Sequence, residues 1–145
     1  MDQRTVITGI GIISPLGLDS KTTWKALLAG KSGVKRITSF DTDSFETKIA
    51  AEITDFDSVP YIGLKDSKRM DRFVQLALTA SIEALEQANL INLPNPDRTA
   101  VIVSSGIGGI NTISEQLTVL SNKGPSRISP FLVPMMLADI ASAQI

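Results

Sequence analysis

The run TAVIVSSGIGGINTI, Thr99 to Ile113, constrains the fold more than any other stretch. Ala100, Val101, Ile102 and Val103 are apolar, mostly β-branched and free of polar alternation, which predicts a strand covered on both faces and hence an α/β sheet. The strand feeds Gly106, Gly108 and Gly109, residues suited to positive φ or to close approach of another group, and they surround one bulky side chain, Ile107. Working residues of open α/β sheets collect past the carboxyl ends of the strands, so Ile107 is expected at the rim of a ligand site. A plain strand-to-helix connection is the competing reading. A phosphate loop is disfavoured, because no Lys followed by Ser or Thr comes after these glycines and GIGG lacks the G-x-G-x-x-G spacing.

At 145 residues the chain fits one domain with a useful core, and a net charge of -1 suggests neither nucleic acid nor membrane as partner. No secretory leader pattern and no apolar run of membrane-spanning length is present, so a cytoplasmic protein is expected. The absence of Cys and His excludes disulfides, thiolate nucleophiles and imidazole bases, and leaves no metal or cofactor to expect. Catalysis by these residues alone would need Ser, Thr, Lys, Tyr or carboxylates, and no constellation of them looks assembled for it.

Arg4 to Thr8 is a second strand candidate, running into Gly9-Ile10-Gly11 and a turn at Ser14 to Gly17. The G-x-G is a weak nucleotide signal without a third glycine or a ribose-binding acid at the right distance. Ser20 reads as the cap of a helix whose Trp24, Leu27 and Leu28 pack on the sheet, with Gly30 as its stop. Lys31 to Asp43 reads as turns, and Lys48 to Ile53 as a short strand. Lys65 to Ala88 is the longest periodic segment, with Met70, Phe73, Val74, Ala77, Ser81, Ala84, Leu85 and Ala88 on one face. Leu76, Leu78 and Ile82 widen the stripe and predict cover on more than one side.

Lys65, Lys68 and Arg69 then fall in the first turn of that helix, where the macrodipole disfavours cations by some ~0.3–1 kcal/mol each. Either Asp66 and Asp71 neutralise them locally, or they form a landing patch for an acidic partner, with Arg127 as a fourth member. Asn111 to Leu120 predicts a helix with Ile113, Leu117 and Leu120 inward, stopped at Asn122 to Pro125. Pro134 suits the first turn of a last helix that reaches Ile145 without a stop signal, so the sequence reads as cut within or just after an apolar helix.

Four stretches, Val6 to Gly17 (VITGIGIISPLG), Thr23 to Gly30 (TWKALLAG), Ser104 to Gly109 (SSGIGG) and Arg127 to Pro134 (RISPFLVP), together resemble the N-terminal part of the β-ketoacyl-acyl-carrier-protein synthases, most closely the elongating, type II kind. The match is collinear over essentially all 145 residues, which are expected to form one incomplete domain, 1–145. The resemblance implies a thiolase-like α/β/α/β/α fold built from two similar halves, of which this chain is most of the first, usually in a homodimer. It also implies a decarboxylating Claisen condensation that uses a Cys and two His beyond Ile145, the Cys at a helix N-terminus that acidifies its thiol. On that template Gly106, Ile107 and Gly108 border the acyl pocket, Ile107 as its gate. Phe131 and Leu132 lie near the dimer interface and the partner's acyl tail, Leu132 standing where an aromatic is common. Lys65, Lys68, Arg69 and Arg127 match the surface that docks the acidic acyl carrier protein. Ser142-Ala143-Gln144 departs from the small-Gly-His pattern common in relatives. Two other readings stay open: a thiolase or other member of the same fold, and a short module that binds the carrier or dimerises without catalysis.

Overall fold

The computed structural model describes residues 4–145, so residues 1–3 of the expected domain lie outside the described part. In chain order it contains α1 (Ser20–Leu28), β1 (Lys35–Arg36), β2 (Ile49–Ala50), α2 (Val59–Ile62), α3 (Leu64–Ser67), α4 (Arg72–Gln87), α5 (Ile110–Lys123), α6 (Leu132–Met136) and α7 (Ile140–Gln144), with 3₁₀ turns at Pro96–Arg98 and Pro125–Arg127. The longest helix is α4, which packs against α2 and α7. Its Val74 is only 1 % exposed, and nearly the whole helix is at least half-buried, as the wide apolar stripe predicted.

Segment 9–12 lies along one side of α4 at a separation only glycine permits. A Cβ on Gly9 would stand 2.0 Å from the Ala84 carbonyl oxygen, and one on Gly11 1.7 Å from that of Ala80. Glycine here removes the side chain that would hold backbone and helix apart. Helix side chains then satisfy the segment's backbone: Gln87 Oε1 accepts from the Ile10 N–H at 2.7 Å and Glu83 Oε2 from that of Ile12 at 2.9 Å. The G-x-G is thus a packing seam.

Two expected strands do not form ladders among the described residues. Arg4 to Thr8 and Thr99 to Val103 carry no strand pairing, and Ile102 is 90 % exposed. A strand buried on both faces needs a neighbour on each edge and a layer on each face, and residues 4–145 supply neither. Val103 is held instead by a side chain, its N–H donating to Ser142 Oγ at 3.2 Å while that hydroxyl donates back to its carbonyl at 3.3 Å. The ladder present is antiparallel β1–β2, pairing Lys35 with Ala50 and Arg36 with Ile49. The strand expected over Lys48 to Ile53 thus shortens to Ile49–Ala50, and its partner lies in a stretch that reads as turns.

Helix boundaries also move. Asp19, not Ser20, caps α1: Oδ1 accepts from the Thr22 N–H at 2.6 Å and Oδ2 from its hydroxyl at 2.7 Å, and these bonds hold the carboxyl below its ordinary pKa. Ser20 is drawn to Glu83, its hydroxyl 2.6 Å from Oε1. Gly30 ends the helix at φ +63 as expected. The buried face is Thr23 and Ala26, however, and Trp24, Leu27 and Leu28 face outward, because no sheet lies against them here. The segment from Lys65 to Ala88 breaks at Lys68–Asp71 into α3 and α4, since the Asp71 side chain takes the Phe73 N–H and starts a new helix. Asn89, at φ 56, closes α4 with a bond from the Leu90 N–H to the Leu85 carbonyl. The last segment likewise breaks, into α6 and α7, where Leu137 turns extended at ψ 133.

Candidate functional site

The glycine loop is held from below. Gly108 has φ +79, and a Cβ on it would stand 2.5 Å from the Met136 carbonyl oxygen; one on Gly109 would be 2.2 Å from that of Met135. The Gly109 N–H donates to the Met136 carbonyl at 3.2 Å, and the Gly108 N–H to Ser105 Oγ at 2.9 Å. Close approach is therefore the reason for Gly108 and Gly109, and the approaching group is the α6 backbone. Gly106 has no positive φ, and among the described residues nothing lies within 4 Å of a built Cβ, so the conformational argument fails for it. Ile107 stands on top of this clamped turn with its side chain 65 % exposed.

On the other side the loop meets Asp71. Its Oδ2 accepts from the Thr112 N–H at 3.0 Å and from the Thr112 hydroxyl at 2.6 Å, while Oδ1 takes the Phe73 N–H at 3.3 Å. One carboxylate thereby caps both α4 and α5, whose own N-cap, Gly109, has no side chain to offer. Asp71 was legible as a cap, an acid just before an apolar periodic run, but counting charges assigned it to the basic cluster.

That cluster is arranged differently from the expectation. Lys65 lies in α3, Lys68 follows its last residue and Arg69 sits in the turn before Asp71, so none crowds the N-terminus of α4. The dipole argument for misplaced charge therefore lapses. No contact ion pair holds the cluster: among the described residues the ion pair within 4 Å is Arg36–Asp43 at 3.8 Å, and Asp71 is engaged in capping. All of Lys65, Lys68, Arg69 and Arg127 are exposed. The Arg69 guanidinium lies 4.9 Å from the centroid of the Phe131 ring, a cation–π contact that joins one docking candidate to one pocket candidate. Arg127 ends the 3₁₀ turn after α5, and no hydrogen bond or ring contact among the described residues ties it to the other three.

Leu132 lines an apolar groove of about 190 Å³ between α5 and α6, with Ile113, Leu117, Leu120, Ile128 and Met136. Leu117 and Leu120 are thus at the groove surface rather than inward as expected. Ile107 is not part of its lining. A polar cleft of about 360 Å³, with no counterpart among the expected sites, lies between the Ser14–Asp19 turn and residues 52–55, with Lys35 and Glu52 on its wall. Glu52 accepts from the hydroxyls and N–H groups of Ser39 and Thr38, which holds its carboxyl below the ordinary range.

The N-terminal domain model of the beta-ketoacyl synthases matches residues 2–145. The chain belongs to this family. The chain is 46 % identical over 144 residues to the 3-oxoacyl-[acyl-carrier-protein] synthase 2 of Coxiella burnetii, covering 99 % of this chain and 35 % of that protein. It is 42 % identical over 141 residues to the enzyme of that name from Synechocystis, covering 97 % of this chain and 34 % of the relative. Among solved structures it superposes on the ishigamide ketosynthase/chain length factor with a TM-score of 0.79 at 30 % identity, over 97 % of this chain and 35 % of that one. The chain accordingly has the thiolase-like α/β fold, and it spans about a third of the length of the relatives it matches.

Proposed function

We propose that these residues are the N-terminal portion of an elongating 3-oxoacyl-[acyl-carrier-protein] synthase, forming a single incomplete domain over residues 1–145. The observation that carries the reading is the collinear similarity at 42–46 % identity to proteins of that name. In the reaction an acyl group passes from its carrier to a Cys thiolate as a thioester, releasing the carrier thiol. Malonyl carrier loses carbon dioxide, and the resulting carbanion attacks the thioester carbonyl. Collapse of the oxyanion expels the Cys thiolate and leaves 3-oxoacyl carrier. With no Cys and no His among these 145 residues, the nucleophile and the imidazoles come from other parts of the polypeptide.

Gly106, Ile107 and Gly108 form the wall and mouth of the acyl pocket in this reading, and Phe131 and Leu132 lie where a second copy contributes to it in a homodimer. The exposed apolar groove beside Leu132 supports that placement. Lys65, Lys68, Arg69 and Arg127 dock the acidic carrier protein, an assignment supported by their exposure and lack of ion-pair partners among the described residues. The setting is cytoplasmic, in keeping with a water-soluble carrier substrate. The test is to incubate the full-length polypeptide with acyl-carrier, radiolabelled malonyl-carrier and free coenzyme A and to separate the products. Labelled 3-oxoacyl carrier with loss of carbon dioxide is expected; acyl transfer to coenzyme A without decarboxylation would favour a thiolase.

A further inference from the structure

We infer that Asp71 is a positioning residue for the loop that carries Ile107, and through that loop for which acyl chain lengths the pocket admits. The inference rests on the reading of Ile107 as part of the pocket mouth. Asp71 is 4 % exposed and lies 41 positions before Thr112, yet its Oδ2 takes both the backbone N–H and the hydroxyl of that residue in the first turn of α5. A charged acceptor buried where two helices begin meets orphan N–H groups and the positive ends of both helix dipoles, so it is held strongly.

The loop has little freedom between its two anchors. A Cβ on Gly109 would stand 3.0 Å from Asp71 Oδ2 on one side and 2.2 Å from the Met135 carbonyl oxygen on the other. Among the described residues Ile107, two positions upstream and 65 % exposed, has no comparable restraint. Where its side chain stands is therefore set by how firmly Gly108, Gly109 and the start of α5 are seated. Asp71 is the side chain that seats them, without itself lining the groove beside Leu132.

The test uses the full-length synthase with Thr112→Val, Thr112→Ser and Asp71→Asn. Thr112→Val deletes the hydroxyl donor and keeps the backbone one, so it spares the fold if Asp71→Asn does not. The readouts are the ratio of kcat/KM for long against short acyl-carrier substrates and hydrogen exchange at the Gly108 to Ile110 amides. Thr112→Val should shift the ratio by about threefold and speed exchange by about tenfold, Thr112→Ser should restore both, and Asp71→Asn should exceed Thr112→Val. Variants that lower the melting temperature while leaving both the ratio and the exchange of the loop at wild-type values would make Asp71 merely structural and overturn the inference. A wild-type enzyme that forms no 3-oxoacyl product would refute the reading of the chain instead, and the exchange measurement would still decide whether Asp71 seats the loop.

Discussion

Asp71 and Thr112 form a two-point contact, backbone N–H at 3.0 Å and hydroxyl at 2.6 Å to the same carboxylate oxygen, that fastens the start of α5 onto the start of α4. Asp71→Ala removes the cap of one helix, the borrowed cap of another, and leaves the buried Thr112 hydroxyl without its acceptor. The summed cost is about 2–4 kcal/mol. Urea unfolding of the full-length protein should show a lower midpoint with an unchanged slope, and a loss below about 0.5 kcal/mol would mean that water replaces the carboxylate.

The glycines divide into those that packing requires and those it does not. Gly11→Ala forces a methyl to 1.7 Å from the Ala80 carbonyl oxygen, so segment 9–12 has to lift off α4 and give up the bonds to Glu83 and Gln87. The expected loss is about 3 kcal/mol. Gly106→Ala meets no atom of the described residues within 4 Å and should change the melting temperature little. Equal effects from the two substitutions would contradict the seam.

What the sequence made legible was pattern, and what it concealed was partnership. The α4 stripe, the stop at Gly30 and the close approach at Gly108 and Gly109 all follow from local rules that hold wherever the segment lies. The apolar run Ala100 to Val103 reads as a doubly covered strand because its composition reports the surroundings it suits; residues 4–145 do not contain them, and Ile102 stands in solvent. The break at Lys68–Asp71 was hidden for the opposite reason. Periodicity runs through it and masks the local cap that Asp71 makes on the Phe73 N–H, and no local rule shows that the same carboxylate also reaches Thr112, 41 residues away. Arg69 and Phe131 entered as separate candidates, one from charge and one from the resemblance, and their stacking is a product of the fold.

Glu83 supplies a pH dependence whose sign is fixed. Burial pushes its carboxyl up, but the Ser20 hydroxyl, the Ser20 N–H and the Ile12 N–H outweigh that and leave it below the ordinary glutamate value. A depressed folded value means stability that is fully present above the ordinary glutamate range and lost as pH falls through the folded one. Glu83→Gln should therefore narrow the gap in stability between neutral and acid pH. Parallel pH curves for variant and wild type would show the contribution to be absent.

Ile107→Phe tests the pocket-mouth reading through size alone. Among the described residues the side chain is 65 % exposed, so within this part of the protein the larger ring has room, and a melting-temperature control separates lost stability from a narrowed mouth. Use of long acyl chains should fall about tenfold more than use of short ones, read as kcat/KM on a series of acyl carriers. An equal fall at every length would remove Ile107 from the gate.

The basic surface is best tested through the two lysines, because Arg69 is already spread over Phe131 and its replacement also removes a ring contact. Lys65 and Lys68 are exposed, and neither has an ion-pair partner among the described residues, so Lys65→Glu with Lys68→Glu reverses charge without dismantling packing. Charges on a docking rim act chiefly by steering the encounter, so the association rate for an acidic carrier should drop about tenfold at low salt while dissociation changes little. The difference should shrink as salt rises and the screening length falls to roughly 8 Å near physiological ionic strength. Stopped-flow association across a salt series decides the matter. A rate equal to wild type at low salt would move the carrier's landing site away from α3.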